Sequence, residues 1–172
     1  MSKRNIILVG FMGTGKTTVG KLIAEKTGMP LVDMDSLIEE RTGKTINAIF
    51  AQDGEPHFRS LERELAHELS RKEGLIISTG GGIVLNPDNI SDFEKTGLVI
   101  CLLADADTVL DRVRHDASRP LLAGDKEASI ISLLDTRKPL YEALPYSIDT
   151  SGRPSPEPTA REIIALYESN SP

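Results

Sequence analysis

Near the start of the chain four apolar residues, Ile6-Ile7-Leu8-Val9, run straight into Gly10-Phe11-Met12-Gly13-Thr14-Gly15-Lys16-Thr17-Thr18, and a helical pattern follows. Gly10, Gly15, Lys16 and Thr17 fit the spacing G-x-x-x-x-G-K-[ST], a loop held between a strand and a helix. A chain of phosphates needs several backbone N–H groups aimed at it, and side chains would block that approach. Gly13 and Gly15 leave room. The helix that opens at the loop adds the positive end of its dipole. Lys16 supplies charge to the β- and γ-phosphates of a nucleotide, and the Thr17 hydroxyl can ligate Mg²⁺.

The rest of the chain alternates in the same way. Apolar runs predict strands over 5–10, 30–33, 75–78, 98–103 and 146–149. Helical periodicity predicts helices over 17–27, 36–41, 45–52, 55–72, 87–95, 107–115, 126–144 and 159–168. Gly28 is the expected stop of the first helix. Ser36, with Glu39 three residues on, is the expected cap of the second. Asn86 is the expected cap of the helix at 87, and Pro139 is expected to interrupt the helix over 126–144. Strands that are apolar throughout, alternating with helices, argue for a parallel sheet covered on both faces. Ligands of such folds bind at the carboxyl ends of the strands.

The 172 residues suit one domain. With 20 Lys and Arg against 26 Asp and Glu, the net charge of −6 disfavours nucleic acid and anionic membranes as partners. No apolar run reaches the length of a membrane span, and the apolar stretch within residues 1–10 is too short for a signal peptide. A single cysteine, Cys101, lies in an apolar run and reads as core. One cysteine allows no intrachain disulfide, which fits a cytoplasmic location. His57, His67 and His115 lack metal-ligand spacing.

The remaining chemistry falls where such a sheet would present it. Asp33 and Asp35, one residue apart at a strand end, are expected to point the same way in an extended segment. One would hold a metal-bound water, and the other would orient or deprotonate an acceptor alcohol. Gly80-Gly81-Gly82 follows the third strand and lets a ligand touch backbone. Arg59 has Glu62 and Arg63 within helical reach, so an exposed ion pair is its default reading. Arg137 lies beside the expected break at Pro139. Two arginines from distant segments match a carboxylate-bearing ligand, because the guanidinium fork is bidentate. Arg119 lies in a Gly- and Pro-punctuated segment, a candidate lid.

In order, the motifs read GFMGTGKTTVG from Gly10, DMDSLIEE from Asp33, GEPHFRSLE from Gly54, STGGG from Ser78, RPLL from Arg119 and RKPLY from Arg137. Together they resemble the shikimate kinase family. The resemblance implies ATP-dependent phosphorylation of the shikimate 3-hydroxyl, on the route to chorismate and the aromatic amino acids. It implies a single P-loop NTPase-type domain over 1–172, a three-layer α/β/α sandwich. Its five-stranded parallel sheet has the order 2-3-1-4-5 and helices on both faces. A mobile lid would span about 115–125 and a shikimate-binding helical segment about 35–62.

Carried over by motif, Gly13, Thr14, Gly15, Lys16, Thr17 and Thr18 wrap the ATP phosphates. Thr17 ligates Mg²⁺, and Asp33 does so through water. Asp35 and Gly80, Gly81 and Gly82 hold the ring hydroxyls, and Arg59 and Arg137 bind the carboxylate. Arg119 acts from the lid, and Arg114 and Arg153 lie on the adenine side. The expected catalytic set is Lys16, Asp35 and Arg119. The expected partners are shikimate and ATP, with no nucleic acid and no membrane, and the expected state is a monomer. A kinase of another hydroxy acid such as gluconate, or of nucleoside monophosphates, stays open. A guanine-reading nucleotide switch would need an N-K-x-D segment, which the sequence lacks.

Overall fold

A computed structural model describes residues 3–115 and 126–171. Five strands form one parallel sheet: β1 (Asn5–Val9), β2 (Leu31–Asp33), β3 (Ile76–Ser78), β4 (Gly97–Leu103) and β5 (Ser147–Asp149). Their order is β2-β3-β1-β4-β5. Register places Ile7 against Ile77 and against Val99. Every residue of β1 is buried because the sheet is covered on both faces. Ile6 and Leu8 join the layer under α1 (Lys16–Thr27) and α8 (Glu157–Ser169). Ile7 and Val9 join the other layer. That layer contains α2 (Met34–Thr42), α3 (Ile46–Gln52), α4 (Glu55–Leu69), α5 (Pro87–Thr96), α6 (Ala106–Arg114) and α7 (Lys126–Glu142). The result is the three-layer sandwich expected, in the expected strand order.

Local chemistry explains most of the boundaries. Gly28 ends α1 in the left-handed conformation, φ 73°, and its N–H reaches the Ala24 carbonyl. Thr45 caps α3, and Asn86 caps α5 with Pro87 in its first turn. The stripe of Phe58, Leu65 and Leu69 buries α4 against the core. A 3₁₀ turn, Ile83–Leu85, links the triple glycine to α5.

Three expectations are corrected. The cap of α2 is Asp33, whose Oδ1 accepts from the Ser36 amide at 3.0 Å. A carboxylate at the strand end captures the orphan amides first, so the helix starts at Met34 and Ser36 lies inside it. Glu39, cast as the other half of a capping box, instead accepts from the Ile46 amide at the start of α3. Asp35 therefore sits in the first turn of a helix, and the two aspartates do not share an extended segment. Third, Pro139 does not break α7. Proline removes the bond to the carbonyl four residues earlier, that of Asp135. Both residues are exposed, so water can take its place, while buried Leu134 and Tyr141 hold the helix to the core.

Candidate active site

The loop after β1 has no freedom for side chains at its glycines. Gly10 has φ 146°, and a Cβ there would overlap the Leu102 carbonyl oxygen. Gly15, at φ 91°, starts α1 without a side-chain cap, which leaves the amides of the first helical turn aimed outward. Thr14 is buried and donates to the Phe11 carbonyl at 2.7 Å, tying the loop into its curve. Lys16 Nζ spans the loop, donating to the Gly10 and Phe11 carbonyls at 2.6 and 3.0 Å. Thr18 lies exposed on the first turn of α1.

Beside the loop, the ends of β2 and β3 meet the first turn of α1. Thr17 Oγ1 donates to Asp33 Oδ2 at 2.7 Å and lies 3.3 Å from the Ser78 hydroxyl. A hydroxyl, a carboxylate and a second hydroxyl are hard oxygen donors that suit Mg²⁺. Among the described residues no group of three His, Cys, Asp or Glu side chains forms a metal cage.

The second half of the site gathers around the triple glycine after β3. A Cβ on Gly80 would stand 2.9 Å from Asp35 Oδ1 and 3.1 Å from Glu62 Oε2. The two carboxylates therefore lie within about 6 Å of each other, the sum of those distances. A Cβ on Gly81 would lie 3.8 Å from Arg137 Nη1, and one on Gly82 would overlap the Arg59 guanidinium. Arg59, Arg137 and Asp35 are thus brought to one turn of backbone from three separate helices.

The ion pair of Arg59 differs from the default exposed reading. Its Nη1 donates to Glu62 Oε1 at 2.9 Å, and the Glu62 side chain is only 3% exposed. Its other edge, Nε and Nη2, reaches Glu55 at 3.3 and 3.2 Å, and Glu55 is exposed. The guanidinium also stacks over the Phe58 ring, 5.2 Å from its centre. Burial pushes the Glu62 carboxyl above its usual range, although Arg59 and Arg137 both pull it down. Glu62 Oε2 accepts no hydrogen bond among the described residues. A cleft of about 460 Å³ opens here, lined by Glu55, Pro56, Arg59, Glu62 and Leu85.

Two arginines expected on the nucleotide side are held in ion pairs. Arg114 pairs with Glu127 at 2.6 Å, and Arg153 folds onto α8, bonding Thr159 and Glu162. Arg112, which the reading of the sequence did not name, touches the glycine loop, donating to the Gly13 carbonyl at 3.1 Å and to Thr150 Oγ1 and O at 3.0 and 2.9 Å. The signal was present in helical spacing: Arg112 is three residues from buried Val109, while Arg114 shares the outer face with Asp107 and Asp111. Arg119 and nearly all of the expected lid lie outside the described residues. Glu62, paired with Arg59, and Tyr141, whose hydroxyl donates to the Gly81 carbonyl, lie at this turn, and the reading of the sequence assigned neither to the site.

A model of the shikimate kinase family matches residues 12–168. The chain belongs to the shikimate kinase family. A shikimate kinase of Thermodesulfovibrio yellowstonii is 44% identical over 166 residues, covering 96% of this chain and 95% of that protein. One of Geobacter metallireducens is 44% identical over 168 residues, covering 97% and 93%. Among solved structures, a shikimate kinase from Acinetobacter baumannii in complex with shikimate matches at TM-score 0.88 and 38% identity, covering 98% and 95% of the two chains. A gluconokinase from Sinorhizobium meliloti, at TM-score 0.60 and 15% identity, shares the fold alone. No described helix is long and apolar enough to cross a membrane.

Proposed function

We propose that this chain transfers the γ-phosphoryl group of ATP to the 3-hydroxyl of shikimate, giving shikimate 3-phosphate and ADP. The observation that carries the reading is the pairing of two half-sites. A glycine loop with Lys16 and Thr17 abuts a turn, Gly80-Gly81-Gly82, flanked by Arg59, Arg137, Asp35 and Glu62. A phosphate cradle beside two arginines and a carboxylate suits a small acceptor that is both an acid and an alcohol. The shikimate bound to the relative from Acinetobacter baumannii is such a molecule.

In this reading Arg59 and Arg137 grip the acceptor's carboxylate, and Asp35 takes a hydrogen bond from the hydroxyl that attacks. The acceptor oxygen bonds to the γ-phosphorus as the bond to the β–γ bridging oxygen breaks, and the hydroxyl proton passes to Asp35 or to solvent. Such a transfer needs positioning and charge neutralisation more than covalent chemistry. Lys16 and the amides opening α1 supply both to the phosphates. Thr17 and Asp33 would hold Mg²⁺, which neutralises phosphate charge when bound. Arg112, joined to the Gly13 carbonyl, fixes the far side of the loop.

The test is a coupled assay of ADP release with shikimate, gluconate and nucleoside monophosphates as acceptors. Turnover with shikimate and only background with the others is expected. Faster turnover of gluconate or of a nucleotide would refute the assignment.

A further inference from the structure

We propose that Tyr141 is a positioning residue whose hydroxyl sets the separation of Arg59 and Arg137, and so the fit of the acceptor's carboxylate. The inference rests on the carboxylate clamp proposed above. Tyr141 is 1% exposed, and its ring meets Phe11 of the phosphate loop edge-on, with centres 6.5 Å apart. Packing alone would be served by phenylalanine. The hydroxyl, however, donates to the Gly81 carbonyl at 2.5 Å, and Arg137 Nη1 lies 3.8 Å from where a Cβ on that glycine would stand.

Both arms of the clamp lie against the peptide that this hydroxyl holds. The Gly81 carbonyl and the Gly82 N–H belong to one planar peptide and point in opposite directions. Holding the carbonyl therefore fixes the plane of the 81–82 peptide. Gly82 is the residue against which the Arg59 guanidinium lies, too closely for any Cβ. One hydroxyl thus orients the backbone against which both arginines lie. The acceptor sits between the two, so a shift of either arm changes how well a rigid carboxylate spans them. Burial pushes the phenol up to about 12, so the hydroxyl remains a donor throughout any practical assay range.

The experiment is Tyr141→Phe, which keeps the ring and its contact with Phe11. KM for shikimate should rise about 3- to 10-fold, the loss of one hydrogen bond, with kcat and KM for ATP within about twofold of wild type. The methyl ester of shikimate keeps every hydroxyl and cannot use the clamp, so its KM should be the same in both proteins. Tyr141→Phe combined with Arg137→Lys should cost less than the two single changes together, since both act at the Gly81 turn. Assays at low temperature, with circular dichroism as the check on folding, keep a less stable variant measurable. An unchanged KM for shikimate in Tyr141→Phe would overturn the inference. So would an equal rise for acid and ester, which would reduce Tyr141 to a packing residue. Arg59→Lys and Arg137→Lys run alongside separate the two claims: if neither raises KM for shikimate, it is the clamp that fails.

Discussion

Replacing Arg59 by lysine keeps the charge and removes the fork. The structure says what that should cost. Arg59 serves two sides at once: Nη1 is committed to buried Glu62, while the Nε–Nη2 edge meets only exposed Glu55. The contact with Glu55 is weak because water competes for both groups, and a substrate carboxylate can replace it. A lysine has one ammonium and cannot present two edges. Burial makes Glu62 the more demanding partner, so the ammonium should stay with it and leave the substrate. Losing a charge-assisted contact of about 1.5–3 kcal/mol corresponds to a rise in KM for shikimate of about 10- to 150-fold. KM for ATP should hold within about twofold, because the nucleotide loop is not touched. Arg59→Ala adds a stability defect, since it strips a buried carboxylate of its partner at a cost of up to about 3–5 kcal/mol. That defect has a pH signature. Glu62 already lies above its reference value of 4.5 through burial, and losing Arg59 raises it further. A folded carboxyl with a raised pKa binds protons better than the unfolded chain does, so stability falls as pH climbs through and above 4.5. The melting deficit of Arg59→Ala against wild type should therefore be small near pH 4.5 and larger at pH 8. Steady-state kinetics on the lysine variant and thermal melts on the alanine variant check the two halves. A lysine variant with wild-type KM for shikimate would refute the clamp, and an alanine variant with a pH-independent deficit would refute the account of Glu62.

Lys16→Ala should abolish turnover while leaving the far-ultraviolet spectrum and melting temperature close to wild type, because Lys16 is half-buried on the glycine loop and outside the core; retained turnover would remove the phosphate-loop reading. Asp35→Asn should lower kcat by about 10²-fold or more if the carboxylate assists proton transfer, whereas a raised KM at unchanged kcat would restrict Asp35 to binding. Thr17→Val deletes the hydroxyl that bonds Asp33 and should raise the Mg²⁺ concentration needed for half-maximal activity, read from a metal titration at saturating ATP; an unaltered titration would exclude Thr17 as a ligand.

The sheet was legible because its central strands are buried on both faces. Ile6-Ile7-Leu8-Val9 shows no alternation, and only a covered parallel strand tolerates that. The glycine loop was legible because its pattern is local: glycines, lysine and threonine fall within one turn. What was not legible depended on competition between neighbours or on contacts across the fold. Asp33 and Ser36 are both good caps, and the choice went to the one already placed at the end of β2. Pro139 reads as a breaker because propensity cannot see that Tyr141, two residues on, is anchored in the core.

Glu62 shows the same limit at the site itself. Three residues from Arg59 on a charged helix, it looks like half of a surface ion pair, worth little and easily exchanged. Its burial comes from residues far away in the chain, since Gly80 lies against it and Asp35 shares that glycine. Once there, it changes what Arg59 is. A surface arginine loses rotamer freedom when it binds a substrate, but Arg59 is already held by a buried carboxylate on one side and by Gly82 on the other. It can meet a carboxylate without first being ordered, and the affinity otherwise lost to that ordering is kept. The cost is a carboxyl forced out of water, visible in the raised pKa of Glu62. A helix that looks like ordinary charged surface is thus a rigid mount, and its rigidity lies in a residue that touches no phosphate.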